Sequence, residues 1–181
     1  MRAQTFALAL TAAAIASAPA LAQQKDDGLI PGDFAVTALL GTDYVFRGIS
    51  QTDGGPTAQV TVDYSLMFSD NFGFYLGAFG SNVDFDDGDE ANFELDVYGG
   101  LKGSIMGFSA QAGLIGYLYP GASVGGTAYD YYEFAGKVGR DFGMFAASVG
   151  VNYSPDYFFE TGTGFYLSAD VSVPLPFLPF D

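Results

Sequence analysis

The amino-acid sequence predicts an all-β protein, an antiparallel transmembrane β-barrel with about eight strands in this chain. Three observations carry that prediction. Apolar and polar residues alternate through segments of about ten residues. The connections between those segments are alternately short and long. The composition is 49% hydrophobic and 17% aromatic, with 25 glycines but no cysteine and no tryptophan. Disulfides cannot staple such a chain outside the cytoplasm, so burial or a closed hydrogen-bond network must hold it.

Residues 1–22, "MRAQTFALALTAAAIASAPALA", read as a cleaved secretory signal. Arg2 and the amino terminus supply the positive end, Phe6 to Ala18 the apolar core, and Ala20-Leu21-Ala22 the small-x-small site before Gln23. The apolar run is short for a bilayer helix, and no cysteine follows to carry a lipid anchor. Residues 23–32 are expected to be a short periplasmic segment, and residues 33–173 the barrel strands.

In the first strand segment, 34–46, Phe34, Val36, Ala38, Leu40, Tyr44 and Phe46 share one face, opposite Thr37, Gly41, Asp43 and Arg47. Segment 57–68 is the cleanest, with Ala58, Val60, Val62, Tyr64, Leu66 and Phe68 against Thr57, Gln59, Thr61, Asp63 and Ser65. Segment 72–81 is less regular, because Tyr75 and Phe79 interrupt its small, glycine-rich face. In 92–102, Phe93, Leu95, Val97 and Leu101 oppose Asn92, Glu94, Asp96 and Lys102. In 108–118 the polar set is Ser109, Gln111 and Gly113, and in 131–138 it is Glu133 and Lys137. Segment 145–153 sets Ser148 and Asn152, and segment 165–173 sets Tyr166, Ser168, Asp170 and Ser172, against apolar faces.

The short connections are "SDN", "GSIMG" and "RDFG"; the long ones are "GISQTDGGP", "NVDFDDGDEA", "PGASVGGTA" and "SPDYFFETGTG". Short turns at one end and long loops at the other suit a membrane barrel. A soluble β-sandwich or lipocalin-like barrel is the competing fold. Aromatic residues near the strand ends match interfacial girdles instead. The Gly, Ser, Thr and paired charges of the polar face match a hydrated lumen.

That lumen is predicted to be lined by Asp43, Arg47, Gln59, Asp63, Glu94, Asp96, Lys102, Gln111, Glu133, Lys137 and Asp170. Arg47 is expected to point inward near the outer rim, solvated by water and Asp43. Facing lipid at the midplane, it would cost roughly 2–4 kcal/mol.

Histidine and cysteine are both absent, which excludes Ser-His-Asp and Cys-His chemistry and metal or haem sites built on those ligands. Glu94 and Asp96 read as a wet acidic wall, and no enzymatic activity or cofactor is expected. With six basic residues and a net charge of −15, nucleic acid is not an expected partner. The expected partners are outer-membrane lipid, lipopolysaccharide and the barrel-assembly machinery. The loop Asp84, Asp86, Asp87, Asp89, Glu90 is a weak Ca²⁺ candidate that lacks EF-hand spacing, and a hydrated outer loop is the simpler reading.

Several segments, in order, carry a resemblance: "TDYVFRGISQTDGGPTAQVTVDY", "FYLGAFGSNVDF", "FELDVYGGLKG", "GLIGYLYPGA", "YYEFAGKVG" and "VSVPLPF". Over Phe34 to Phe177 the chain resembles the TorF family of proteobacterial outer-membrane proteins, classed as porins. The resemblance implies an outer-membrane location and a pore without a defined substrate. Similar sequences continue past "PLP" with further strands, whereas this one stops at "PLPFLPFD". Residues 174–181 therefore read as a Pro-rich tail or a truncated connection to roughly four further strands, in a barrel of about twelve. The expected function is passive diffusion of small hydrophilic solutes or ions with weak cation preference. The alternative is a non-conducting structural or surface-interaction barrel, because eight strands enclose little more than their own side chains.

Overall fold

The computed structural model describes residues 31–86, 91–124 and 127–174. The strands, in chain order, are β1 (Asp33–Gly41), β2 (Val45–Phe46), β3 (Ile49–Ser50), β4 (Thr57–Met67), β5 (Phe72–Asn82), β6 (Phe93–Ile105), β7 (Phe108–Leu118), β8 (Ser123–Val124), β9 (Thr127–Ala128), β10 (Tyr131–Asp141), β11 (Ala146–Ser154) and β12 (Gly164–Ser172). Eight of them form one antiparallel meander in the order β1-β4-β5-β6-β7-β10-β11-β12; β2–β3 and β8–β9 are small hairpins within two of the long connections. Each of the eight segments with period-two alternation is a strand of this sheet.

Several boundaries differ from expectation, and two are instructive. The first strand ends at Gly41 rather than Phe46, because the next residues satisfy their polar groups locally. Asp43 Oδ1 accepts hydrogen bonds from the Ser50 and Thr52 hydroxyls, and Gln51 N donates to the Tyr44 carbonyl. The connection predicted over "GSIMG" shrinks to Met106-Gly107, since β6 runs on to Ile105. Both turn residues have positive φ, 54° and 80°, the backbone hand that suits a two-residue hairpin.

The sheet is not closed into a barrel: among the described residues, its end strands β1 and β12 have no ladder between them. It nonetheless curls until strands at both edges border one cavity, where Thr37 of β1 and Ser168 of β12 both lie. The signal segment, loop residues 87–90 and the tail beyond residue 174 lie outside the described residues.

Burial on this sheet is inverted relative to a water-soluble one. Most apolar side chains of the long strands face outward, with Leu40 71%, Leu167 77% and Val171 69% exposed, while Leu39, Phe79 and Ile115 turn inward. Gln59, Glu94, Asp96 and Glu133 are buried on the inner face. In soluble proteins such charged residues are almost never fully buried unless paired.

The register explains the irregular fifth strand. Gly77 is paired with Tyr98 across β5 and β6, and a Cβ at Gly77 would collide with the Tyr98 ring. The outer end of the ring therefore occupies the gap that glycine leaves. Tyr75 uses Gly100 and Gly113 in the same way, its hydroxyl occupying the space their side chains would need. Large rings and missing side chains interlock on the inner face, so Tyr75 is not a break in the pattern, and Phe79 is buried there against Tyr44.

Candidate functional site: the lumen

The long-loop end is filled by an aromatic cluster to which all four long connections contribute. Tyr44 comes from the first, Val83 and Phe85 from the second, Tyr119 and Tyr129 from the third, and Phe158 and Phe159 from the fourth. Phe85 packs on Tyr119, Tyr129 and Phe158 at centroid distances of 5.7, 5.9 and 5.6 Å, and Tyr129 meets Phe159 at 4.4 Å. Edge-on and offset geometries of this kind contribute about 0.5–1.5 kcal/mol per pair beyond area burial.

Buried carboxylates lie next to this cluster. Glu94 accepts hydrogen bonds from the Tyr44 and Tyr119 hydroxyls at 2.8 and 2.6 Å. Glu133 takes both guanidinium nitrogens of Arg47, each at 2.6 Å, and also Asn152 Nδ2 at 2.8 Å and the Tyr117 hydroxyl at 3.2 Å. Asp96 is fully buried, and neither of its oxygens has a hydrogen-bond partner among the described residues; Gln59 Nε2 also lacks one.

Arg47 is placed differently from expectation. It is not in register on β1 and does not pair with Asp43. It occupies the turn of the β2–β3 hairpin with φ 50°, beside Gly48 at 85°, and its side chain reaches inward to Glu133. A non-glycine residue in that region costs on the order of 1–3 kcal/mol, so the ion pair has to hold the turn. Its guanidinium also stacks on Phe46 at 4.6 Å and on Tyr166 of β12 at 4.3 Å. Burial, the largest influence, disfavours the arginine charge, but the Glu133 hydrogen bonds and the charge interactions with Tyr117, Glu133 and Tyr131 together raise the pKa above the ordinary value. Tyr44, in the same connection, has its hydroxyl pKa raised by burial first and by Glu94 second.

The concave side of the sheet holds a cavity of about 600 Å³. Of the predicted lining, Arg47, Gln59, Asp63, Gln111, Lys137 and Asp170 border it. Glu94, Asp96 and Glu133 are buried rather than lining the open cavity; Tyr44 and Tyr119 cover Glu94, and Arg47 and Tyr117 cover Glu133. Asp43 belongs to the first connection, not to a strand. Lys102 pairs in register with Gly73 and Gln111 towards the short turns and does not border the cavity. Asp63 accepts a hydrogen bond from Tyr98 at 2.6 Å. Nearer the short turns, Lys137 and Asp170 pair at 2.9 Å with side chains 36% and 40% exposed. The Arg47–Glu133 pair, at 14% and 2%, is far drier.

Alternation in the sequence does not reveal the tyrosines that shape the cavity: it puts Tyr44 on the apolar face and marks none of Tyr75, Tyr98 and Tyr117 as lining residues. The one signal available was the aromatic interruption at Tyr75 and Phe79. In the acidic loop, Asp84 and Asp86 are exposed, and Asp86 N donates to Asp84 Oδ1 at 3.1 Å. Asp87, Asp89 and Glu90 lie outside the described residues. Among the described residues no three acidic side chains converge to hold a metal ion.

Fold and lumen together define a class: an eight-stranded antiparallel meander with an apolar convex face and a charged, tyrosine-lined interior. Over residues 26–181 the chain matches the family described as "Bacterial protein of unknown function (Gcw_chp)", and it belongs to that family. No curated protein and no solved structure matches it.

Proposed function

We propose that the protein is an integral outer-membrane β-barrel with a lumen closed on the long-loop side and a pocket reached from the short-turn, periplasmic side. The observation that carries this reading is the inverted burial, with apolar residues out and carboxylates in. That arrangement is costly in water and favourable in lipid. Lipid leaves no water for a free sheet edge, so the reading includes closure of β1 on β12. The Arg47–Tyr166 contact between the two margins is consistent with it.

An eight-stranded barrel has room for its side chains or one small ligand. The aromatic cluster and the Arg47–Glu133 pair take up the long-loop end, which favours a non-conducting barrel over free diffusion. The porin reading implied by the likeness to TorF proteins then requires this plug to move aside. Planar-bilayer recording of the folded protein tests both parts. Insertion with no steady ohmic conductance is the expected result. A stable open channel in the unmodified protein would overturn the closed lumen, and failure to insert into lipid would overturn the membrane assignment.

A further inference from the structure

We infer that the cavity is a binding site for a small organic cation, held by the carboxylate of Asp63 and the rings of Tyr75 and Tyr98. The inference deepens the pocket proposed above and rests on that reading.

Both tyrosines border the cavity, Tyr98 with ring atoms over Gly77 and Tyr75 with its hydroxyl over Gly100 and Gly113. Aromatic rings on a cavity wall attract cations through their π-systems. Asp63 accepts one hydrogen bond, from Tyr98, and has no cationic partner within ion-pair distance among the described residues. Around the cavity, Arg47 is balanced by Glu133 and Lys137 by Asp170. The carboxylate of Asp63 is thus left over. Arg47 is an internal precedent, since the fold already sets one delocalised cation against the rings of Phe46 and Tyr166 in this lumen. A volume of about 600 Å³ lies in the range of small-molecule pockets. The combination of aromatic rings with one unneutralised carboxylate selects a cation carrying an apolar body, such as a quaternary ammonium compound. A sugar or a bare anion does not match it.

The test uses choline as the probe, with the full mature protein folded in a non-ionic maltoside detergent. The chain has no tryptophan and 12 tyrosines, so intrinsic tyrosine emission reports on the lumen. Saturable choline binding is expected, and 3,3-dimethylbutan-1-ol, the uncharged isostere, should bind at least about tenfold more weakly. Asp63→Asn should lose a similar factor, and Tyr75→Leu a smaller one, each checked for folding by its far-ultraviolet dichroism. Equal binding of choline and its isostere, or no saturable choline signal in the unmodified protein, would overturn the cation site. The comparison of the two ligands on unmodified protein needs no variant to fold. Choline binding by a protein that conducts or fails to insert would keep the site and remove the closed-barrel reading; insertion without binding would do the reverse.

Discussion

Among the described residues, the two ends of the sheet's inner face each carry one ion pair, and the pairs differ in almost every respect but chemistry. At the long-loop end Arg47 and Glu133 meet through two bonds, nearly out of water, inside a shell of tyrosines. Towards the short turns Lys137 and Asp170 meet through one contact, more than a third exposed. A buried pair is expensive to assemble and more expensive to break by halves. An exposed one contributes about 0–1 kcal/mol and is screened by salt. The same kind of contact is therefore structural at one end and close to neutral at the other. The drier pair also fixes a loop: it holds a strained turn and brings Arg47 onto Tyr166 of the last strand.

The largest effect should come from breaking the drier pair on one side. Glu133→Ala leaves the Arg47 guanidinium buried without its partner and is expected to destabilise the folded protein by about 3–5 kcal/mol. Urea unfolding from lipid vesicles, followed by far-ultraviolet dichroism, would measure it. The double change Arg47→Met with Glu133→Leu should recover much of that loss, because the cost lies in the orphaned charge rather than in the missing attraction. Failure of the double variant to recover would mean that the pair does more than fill the plug.

An intermediate effect is expected between the two ends. Gly77→Ala places a methyl group where the Tyr98 ring lies and should cost about 1–3 kcal/mol through overpacking. If Tyr98→Ala is made as well, the penalty specific to residue 77 should vanish in a double-mutant cycle. The smallest effect belongs to the exposed pair. Lys137→Ala should change stability by less than about 1 kcal/mol, and by less still in high salt. A loss matching that of Glu133→Ala would erase the contrast between the two ends.

Much of the sheet was legible because period two is a local signal. Alternation over 57–68 fixes which residues point inward without any knowledge of the neighbouring strand, and the observed register keeps that assignment. Chain excursions were not legible in this way. Alternation continues through Asp43 and Arg47, so parity alone extends the first strand to Phe46. The strand ends earlier because Asp43 finds the Ser50 and Thr52 hydroxyls, a contact that depends on a hairpin not yet formed. The site was half legible for the same reason. Parity put Glu133 and Asp63 in the lumen. It could not say that Tyr117 and Arg47 would cover the first while the second stayed on the cavity wall, since that depends on side chains arriving from other strands. Tyr75 and Phe79 look like errors in a pattern; only Gly100 of β6 and Gly113 of β7 give Tyr75 a place, and only Tyr44 from the first connection gives Phe79 a partner.

The central claim, that the convex face meets lipid while the concave face meets water, can be tested with single spin labels, because the natural sequence contains no cysteine. Leu114 and Gln111 lie on β7 at positions of opposite parity, Leu114 49% exposed on the apolar face and Gln111 on the cavity wall. With Leu114→Cys and Gln111→Cys labelled in lipid vesicles, collision with oxygen reports lipid and collision with a water-soluble nickel chelate reports water. The account predicts a label at residue 114 that meets oxygen and not nickel, and one at residue 111 that meets nickel. Nickel access at residue 114 equal to that at residue 111 would contradict it.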